Sequence, residues 1–524
     1  MSTNRAQRKA ERKRRLINRR RRIQYRLRDI NWEPRDKPMF TAGNIHYELA
    51  DRVRGLASGG IGAMHLQARR TGLIDEIDRR LHLLKIHLPY HESDHVLNIA
   101  YNILCSGTCL EEIELRRNDE VYLDALGAQR IPDPTTAGDF CRRFKGPDIQ
   151  TLMNVINDVR VGVWRKQPES FFEEAIIDAD GTLATTTGQC KEGMDISYKG
   201  DWGYGPLVVS LAKTGEPLYL VNRSGSRPSH EGAAEYLDRA GALCEQTGFK
   251  RILYRGDTDF TQTRHLDGWD AKGRWFIFGI DAMANLVEKA ETLAKGRWKR
   301  LNRPAKYEVE TIPRERPENV KERIVRERGF KNIRLKSEDV AEFPYCPSAC
   351  EKSYRVVVVR KNLSVEKGEL VLFDDIRYFF YITNERALPV HEIVFSANDR
   401  CNQENLIEQL KNGVRAMQMP VDNLLSNWAY MVMASVAWTL KAWFALSLPE
   451  TGRWAVKCKS EKSAVLRMEF KTFLNAFMRI PCQIIRAGGR IVYRLLAWNL
   501  WQPVFLRGAD ALHTMSTRRH PMRC

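Results

Sequence analysis

Apolar residues recur three and four positions apart from about residue 41 to residue 166. The stretches LADRVRGLASGGIGAMHLQARRTGLIDEIDRRL and HVLNIAYNILCSGTCLEEIELR carry this spacing, which predicts amphipathic helices. Asp133-Pro134-Thr135-Thr136 ahead of AGDFCRRF predicts a capped short helix with Arg142, Arg143 and Lys145 near its end. The character changes at Phe171. FFEEAIIDADGTLA reads as a strand, and PLVVSLAKTGEPLYLV as two strands around a Lys213-Thr214-Gly215 turn. HEGAAEYLDRAGALCEQTGF reads as a helix ended by Gly248, with strands RILYRGDTDF and RWFIFGID after it. Strand, hairpin, helix, strand, helix, strand is the order of an α/β layer with a mixed sheet. From about 285 to 395 a basic, proline-punctuated stretch and the runs YRVVVVRK and YFFYITN predict a β-rich insertion. From Ser396 the pattern is helical again. Trp428–Leu448 is 21 residues and mostly apolar, with Lys441 inside it. It reads as a buried helix rather than a membrane span.

The 524 residues suggest about three domains. With 43% hydrophobic residues and 12 Trp there is enough apolar material for several cores, which excludes wholesale disorder. Charge changes the picture more. The chain holds 84 Lys+Arg against 65 Asp+Glu, a net of +19, which biases it toward polyanions. Residues 1–40 alone hold 15 Lys+Arg and 4 Asp+Glu, so +11 of the excess sits in a short arm. With almost no apolar stripe, the arm reads as a disordered solubilising segment, or as a phosphate clamp that orders on binding. The 11 scattered cysteines read as reduced thiols of a cytoplasmic protein, and the N-terminus shows no secretory h-region.

The chemistry-bearing residues are acidic. In FFEEAIIDADGT the two-residue period of a strand puts Asp178 and Asp180 on one face. A carboxylate inside an apolar strand is costly unless a cation, a donor or water meets it. Asp257 falls at the C-terminal end of RILYRGD, beyond Leu253 and Arg255. In SANDRCNQENLIEQLKNG, Ser396 and Asp399 have capping-box spacing, and Glu404, Glu408 and Lys411 share one face of the next helix. Three carboxylates at element ends suit two-metal phosphoryl transfer. Mg²⁺ takes hard oxygen ligands, and two ions about 4 Å apart serve the attacking and leaving oxygens. The chain carries no Walker A loop, nucleophile elbow or HExxH. Cys346 with Cys350 and Cys105 with Cys109 match no standard zinc spacing.

IIDADGT followed by Gly188, GPLVVSLAKTGEPLYLVNRSG, YRGDTDF and DRCNQENLIEQLKNG together resemble a DDE transposase of a bacterial insertion sequence, most of all the group-1 family of the thirteen-eighty type. The likeness runs from roughly residue 40 to 510. It implies an RNase H-like catalytic core, with Asp257 as the second acid, Glu404 as the third, and two Mg²⁺ or Mn²⁺ ions as cofactors. The first acid stays open. Asp180 fits the D-x-T form with Gly181 and Thr182, and Asp178 follows the apolar run as in other family strands. Arg400, Glu404 and Lys411 keep the R-x3-E-x6-K spacing of the hairpin-forming relatives, whose Tyr position is Ala397 here. The resemblance gives Arg400 and Lys411 phosphate contacts near the scissile bond. In those relatives the insertion handles the transposon end, so the basic cluster of Arg297, Lys299, Arg300, Arg303 and Lys306 becomes a DNA contact, with Arg142 and Arg143 as further candidates. Trp275 and Trp298 become candidates for stacking on an unpaired base.

The resemblance thus implies an α/β, RNase H-like mixed-sheet core with a β-rich insertion and flanking helical regions. The expected layout is a basic arm at 1–40, a helical DNA-binding region at 41–166, the core at 167–284, the insertion at 285–395, the second core part with the catalytic Glu helix at 396–448, and a helical C-terminal region and tail at 449–524. The implied partners are the terminal inverted repeats of the element and target DNA, with at least a dimer in the synapse and no membrane. A structure-specific nuclease of the same fold and a catalytically silent DNA-binding regulator of the element are the rival readings.

Overall fold

The computed structural model describes residues 2–28, 46, 54–87, 89–304, 320–367, 370–450 and 452–515. The chain divides into two compact units, one formed by Met1–Phe140 with Val436–Cys524, the other by Cys141–Ser435.

The first unit is mostly helical. It opens with α1 (Ser2–Arg28), followed by α2 (Ile61–Thr71), α3 (Leu73–Arg80) and α4 (Glu92–Leu104). Over its described residues the N-terminal arm is a helix. No Gly or Pro interrupts residues 2–28, and Arg, Lys, Gln, Ala and Leu are strong helix formers. Cys105 is buried and Cys109 half-buried, and both are free thiols.

The second unit begins after Phe140 and carries α5 (Gly146–Trp164). Its sheet is built from β1 (Glu174–Gly181), β2 (Leu207–Leu211) and β3 (Glu216–Val221), then α6 (Ala233–Thr247), β4 (Arg251–Gly256) and β5 (Trp275–Ile280). Their spatial order is β3-β2-β1-β4-β5. β1 pairs antiparallel with β2 and parallel with β4, which in turn pairs parallel with β5. Three antiparallel strands followed by two parallel ones is the RNase H-like arrangement, as expected. The parallel step needs a crossover, and α6 supplies it. At Gly241 a side chain would run into the Tyr254 hydroxyl, so the missing Cβ lets the helix lie close on β4.

The insertion extends this same sheet. β6 (Lys299–Arg300), β7 (Lys331–Tyr345), β8 (Tyr354–Lys367) and β9 (Leu370–Thr383) add four antiparallel strands beyond β5, giving nine in all among the described residues. β9 docks on β5 through Phe380↔Ile280 and Ile382↔Phe278. One apolar cluster joins Leu253 and Ile277 of the core to Val340, Val357 and Val359 of the insertion. It also takes in Ile393 and Val394 of α7 (Val390–Asn398).

The second unit closes with α8 (Cys401–Glu408) and the start of α9 (Leu424–Leu446); the division between units falls inside α9, after Ser435. This helix is long and apolar enough to cross a membrane and is buried from Ser426 to Leu446. Lys441 inside it is fully buried, donates to the Leu466 carbonyl at 2.9 Å and lies 3.7 Å over the Trp438 ring. Burial pushes its ammonium down to about 7.

The rest of the first unit, expected from its sequence to be helical, also carries strands. A hairpin of β10 (Cys482–Ala487) and β11 (Arg490–Leu495) precedes α10 (Gln502–Thr514) and pairs with a two-residue strand, Gly55–Leu56. Gly488 and Gly489, at φ of 56° and 70°, form its turn, a conformation that two adjacent glycines adopt without strain.

Candidate active site

β1 runs through the middle of the core sheet and carries both candidate first acids. Asp178 is 1% exposed and is met edge-on by Arg255 of β4, Nε to Oδ1 at 2.7 Å and Nη2 to Oδ2 at 2.9 Å. The parallel register sets the two side by side. Arg255 also donates from Nη1 to the Ser396 carbonyl in α7 at 2.6 Å, so both charges are spent inside the fold.

Asp180 lies two residues on, near the strand's C-terminal end, and faces a different set of groups. The Arg400 guanidinium stands 3.3 Å from Asp180 Oδ2 and 3.8 Å from Asp257 Oδ2. Asp257 follows β4 and caps a short 3-10 turn, Thr258–Phe260, by accepting from the Asp259 amide at 3.1 Å. Burial pushes the Asp180 carboxyl up to about 7. Arg400 opposes that shift, while the charges of Asp257 and Glu404 add to it. Asp257 is likewise raised by burial, with Arg400 opposing.

Glu404 occupies the first turn of α8 and is exposed. The helix is not opened by Ser396 and Asp399 as their spacing suggested. Ser396 lies within α7, whose first turn forms earlier, and Arg400 directly precedes α8. Gln403 holds α8 to the sheet. It is 2% exposed, donates to the Val208 carbonyl of β2 at 2.9 Å and accepts from the Ser210 hydroxyl. After Glu408 the helix widens into a π turn, Gln409–Gly413, which carries Lys411. Burial pushes the Lys411 ammonium down, and the negative charges of Glu408 and Asp180 oppose this.

The sequence pattern singled out these acids and passed over the roles of Arg255 and Gln403. The missed signal at Gln403 was an amide on the apolar stripe of Leu406, Ile407 and Leu410, at helical spacing.

The other candidates lie apart from the acids. Arg142 and Arg143 are exposed, and Arg142 donates to Asp422 at 3.0 Å. Arg297, Lys299 and Arg300 are exposed on and beside the short edge strand β6, and Arg303 is tied to the buried Glu338. Lys306 lies outside the described residues. Trp275 and Trp298 are already occupied, stacked on Arg251 at 5.0 Å and Arg360 at 4.2 Å. A cleft of about 450 Å³ opens instead beside Asp257 and Arg400, walled by Tyr378, Phe380 and Tyr381 of the insertion. Ala397, at the position where the hairpin-forming relatives carry Tyr, lines the same cleft.

Among the described residues no three His, Cys, Asp or Glu side chains already close round an ion. The Arg400 guanidinium stands between Asp180 and Asp257. The donor chemistry nevertheless fits a hard divalent cation. All three acids offer carboxylate oxygen, and burial, the chief cause of the raised Asp180 carboxyl, disfavours its charge until a further cation meets it.

Residues 55–517 match the family model for the transposase DDE domain, group 1. The chain belongs to the group-1 DDE transposase family. No curated protein sequence matches it. Among solved structures it is similar to a piggyBac transposase synaptic complex with hairpin DNA, at 11% identity and a TM-score of 0.37, over 81% of this chain and 82% of that one. In this DDE transposase the first D of the motif is contested between two aspartates of a single strand.

Proposed function

We propose that the chain cleaves and joins DNA at the ends of a bacterial insertion sequence of the thirteen-eighty type, in the cytoplasm, with Asp180, Asp257 and Glu404 as its acidic triad. The observation that carries this reading is the placement of Asp180 and Asp257 around one guanidinium, with Glu404 close enough to raise the Asp180 pKa. Asp178 is assigned a structural role, because its carboxylate is saturated by Arg255.

Asp180, Asp257 and Glu404 would hold two Mg²⁺ or Mn²⁺ ions. When bound, such ions supply Lewis-acid activation of the attacking oxygen and stabilisation of the leaving one. Water attacks the phosphorus at the element's end, the P–O3′ bond breaks, and a 3′-OH and a 5′-phosphate result. The 3′-OH then attacks the opposite strand or target DNA in the same in-line manner. Arg400 and Lys411 hold fixed positive charge beside the acids, where they can meet phosphate oxygens. Bringing two inverted repeats together calls for at least a dimer on DNA.

The deciding experiment is cleavage and strand transfer on duplexes carrying the element's inverted repeats, with and without divalent metal. Glu404→Gln is expected to lose both activities by more than about 100-fold while binding of the repeats persists. Unchanged cleavage by Glu404→Gln would remove this site from the chemistry. Hydrolysis without joining by the wild type would leave a nuclease of the same fold.

A further inference from the structure

The active site uses nothing from α1, yet this helix holds the densest charge in the chain. It is seated on its own unit at two points. Arg12 pairs with Asp510 of α10, Nη1 to Oδ1 at 3.2 Å with a second contact to Oδ2, and Arg19 Nη1 donates to the Ala497 carbonyl at 3.1 Å. Arg12 and Arg19 are two turns apart with Leu16 between them, and all three are partly covered. The rest of the described helix faces outward. Ile17 is 40% and Ile23 37% exposed, so no apolar seam holds it. Lys13, Arg14, Arg20, Arg21 and Arg22 are all exposed. Among the described residues the ion pairs of α1 are Arg12–Asp510 and Arg15–Glu11, which leave those five cations out. Like charges this dense disfavour a helix unless a polyanion offsets them. Below α1, a cleft of about 1010 Å³ bordered by α2, β11 and α10 adds Arg69, Arg70 and Arg490 on its walls.

We propose that α1 is a duplex-DNA clamp, and that Asp510 is the positioning residue that fixes its orientation on the protein. This rests on the DNA reading above. The pairs Lys13/Arg14 and Arg20/Arg21 lie seven residues apart, about 10 Å along the axis. Seven residues are also nearly two full turns, so both pairs lie on one face and can follow the phosphates along one wall of a B-form major groove, which admits a helix. The deep, narrow major groove of A-form RNA does not admit one. A flexible arm would bring the same charge without an orientation; the two contacts to the body supply it.

The test measures binding of the full-length protein to a 30-base-pair duplex of random sequence in EDTA, across salt concentrations. Arg20→Ala/Arg21→Ala is expected to weaken all duplexes alike and to lower the salt slope by about 2. Asp510→Ala separates orientation from charge. Simple electrostatics has the loss of an acid tighten binding, whereas loss of the seat weakens it on the order of ten-fold. The charge swap Arg12→Asp/Asp510→Arg keeps the net charge and is expected to restore wild-type affinity. Asp510→Asn, which also removes the acid, gives the same reading if Asp510→Ala does not fold. Unchanged or tighter binding by the folded Asp510 variant overturns the proposal. So does an equal dependence of duplex RNA binding on Arg20 and Arg21. Metal-dependent cleavage by the same variants, with Glu404→Gln as control, distinguishes this failure from failure of the active-site assignment.

Discussion

Asp178 and Asp180 share a strand and a face and still meet different partners, Arg255 for the one and Arg400 for the other. Removing the carboxylate in Asp178→Ala leaves Arg255 buried and unpaired, which is expected to cost about 3–5 kcal/mol, read as a fall in denaturation midpoint whether or not metal is present. Asp180→Asn is expected to act the other way on stability. The Asp180 carboxyl is pushed up from 3.8 to about 7, so its contribution favours the fold below about pH 3.8 and is lost as pH rises through 7. Without divalent ions, Asp180→Asn should therefore melt above the wild type at pH 8 and converge with it in acid, while losing cleavage. A variant that melts lower at pH 8 would show that Asp180 is satisfied without a metal. The sequence places both aspartates on one face through the strand period. It does not contain the register of β1 against β4, and that register decides which one Arg255 neutralises.

Near the acids, elements distant in sequence are fastened together at single polar points. Gln403 is such a point, bonded to both Val208 and Ser210 of β2 and adjacent in sequence to Glu404. Gln403→Ala is expected to lower the cleavage rate by about 100-fold through misplacement of Glu404. The metal concentration for half-maximal rate should rise with it, and Gln403→Glu at low pH, where it can still donate to Val208, should recover part of the rate. A rate loss matched by an equal loss of folded protein would mark Gln403 as structural only. At this scale the sequence was readable wherever a period or a turn signal was strong. The strand-hairpin-helix order of the core and the apolar run of α9 came from such signals. The Gly488-Gly489 turn was an equally strong signal that the helical reading of the C-terminal region passed over. The π turn carrying Lys411 leaves no mark in side-chain periodicity, because one extra residue per turn shifts only the positions downstream of it.

Across the whole molecule, the insertion and the core are one sheet. The sequence showed a β-rich interruption of the right length but not that its strands would pair with β5, because strand pairing between distant segments is written in no local pattern. Replacing residues 285–388 by a short linker is expected to yield aggregated protein, read by size-exclusion chromatography. It exposes the edge of β5 and strips Val340, Val357 and Val359 from the shared cluster. A soluble, monodisperse product would show that the core closes without them.

The division of the chain also sets an order of events on the ribosome. One unit is continuous, Cys141–Ser435, and the other is assembled from Met1–Phe140 and Val436–Cys524. Domains generally fold as units while synthesis proceeds. The unit bearing the proposed acidic triad can complete itself while the earlier segment still waits for its other half. The buried face of α2 packs on α10, which emerges only after residue 436, so that face stays open until synthesis is nearly complete. A prematurely terminated chain would carry the complete set of acids and an orphaned, strongly basic start.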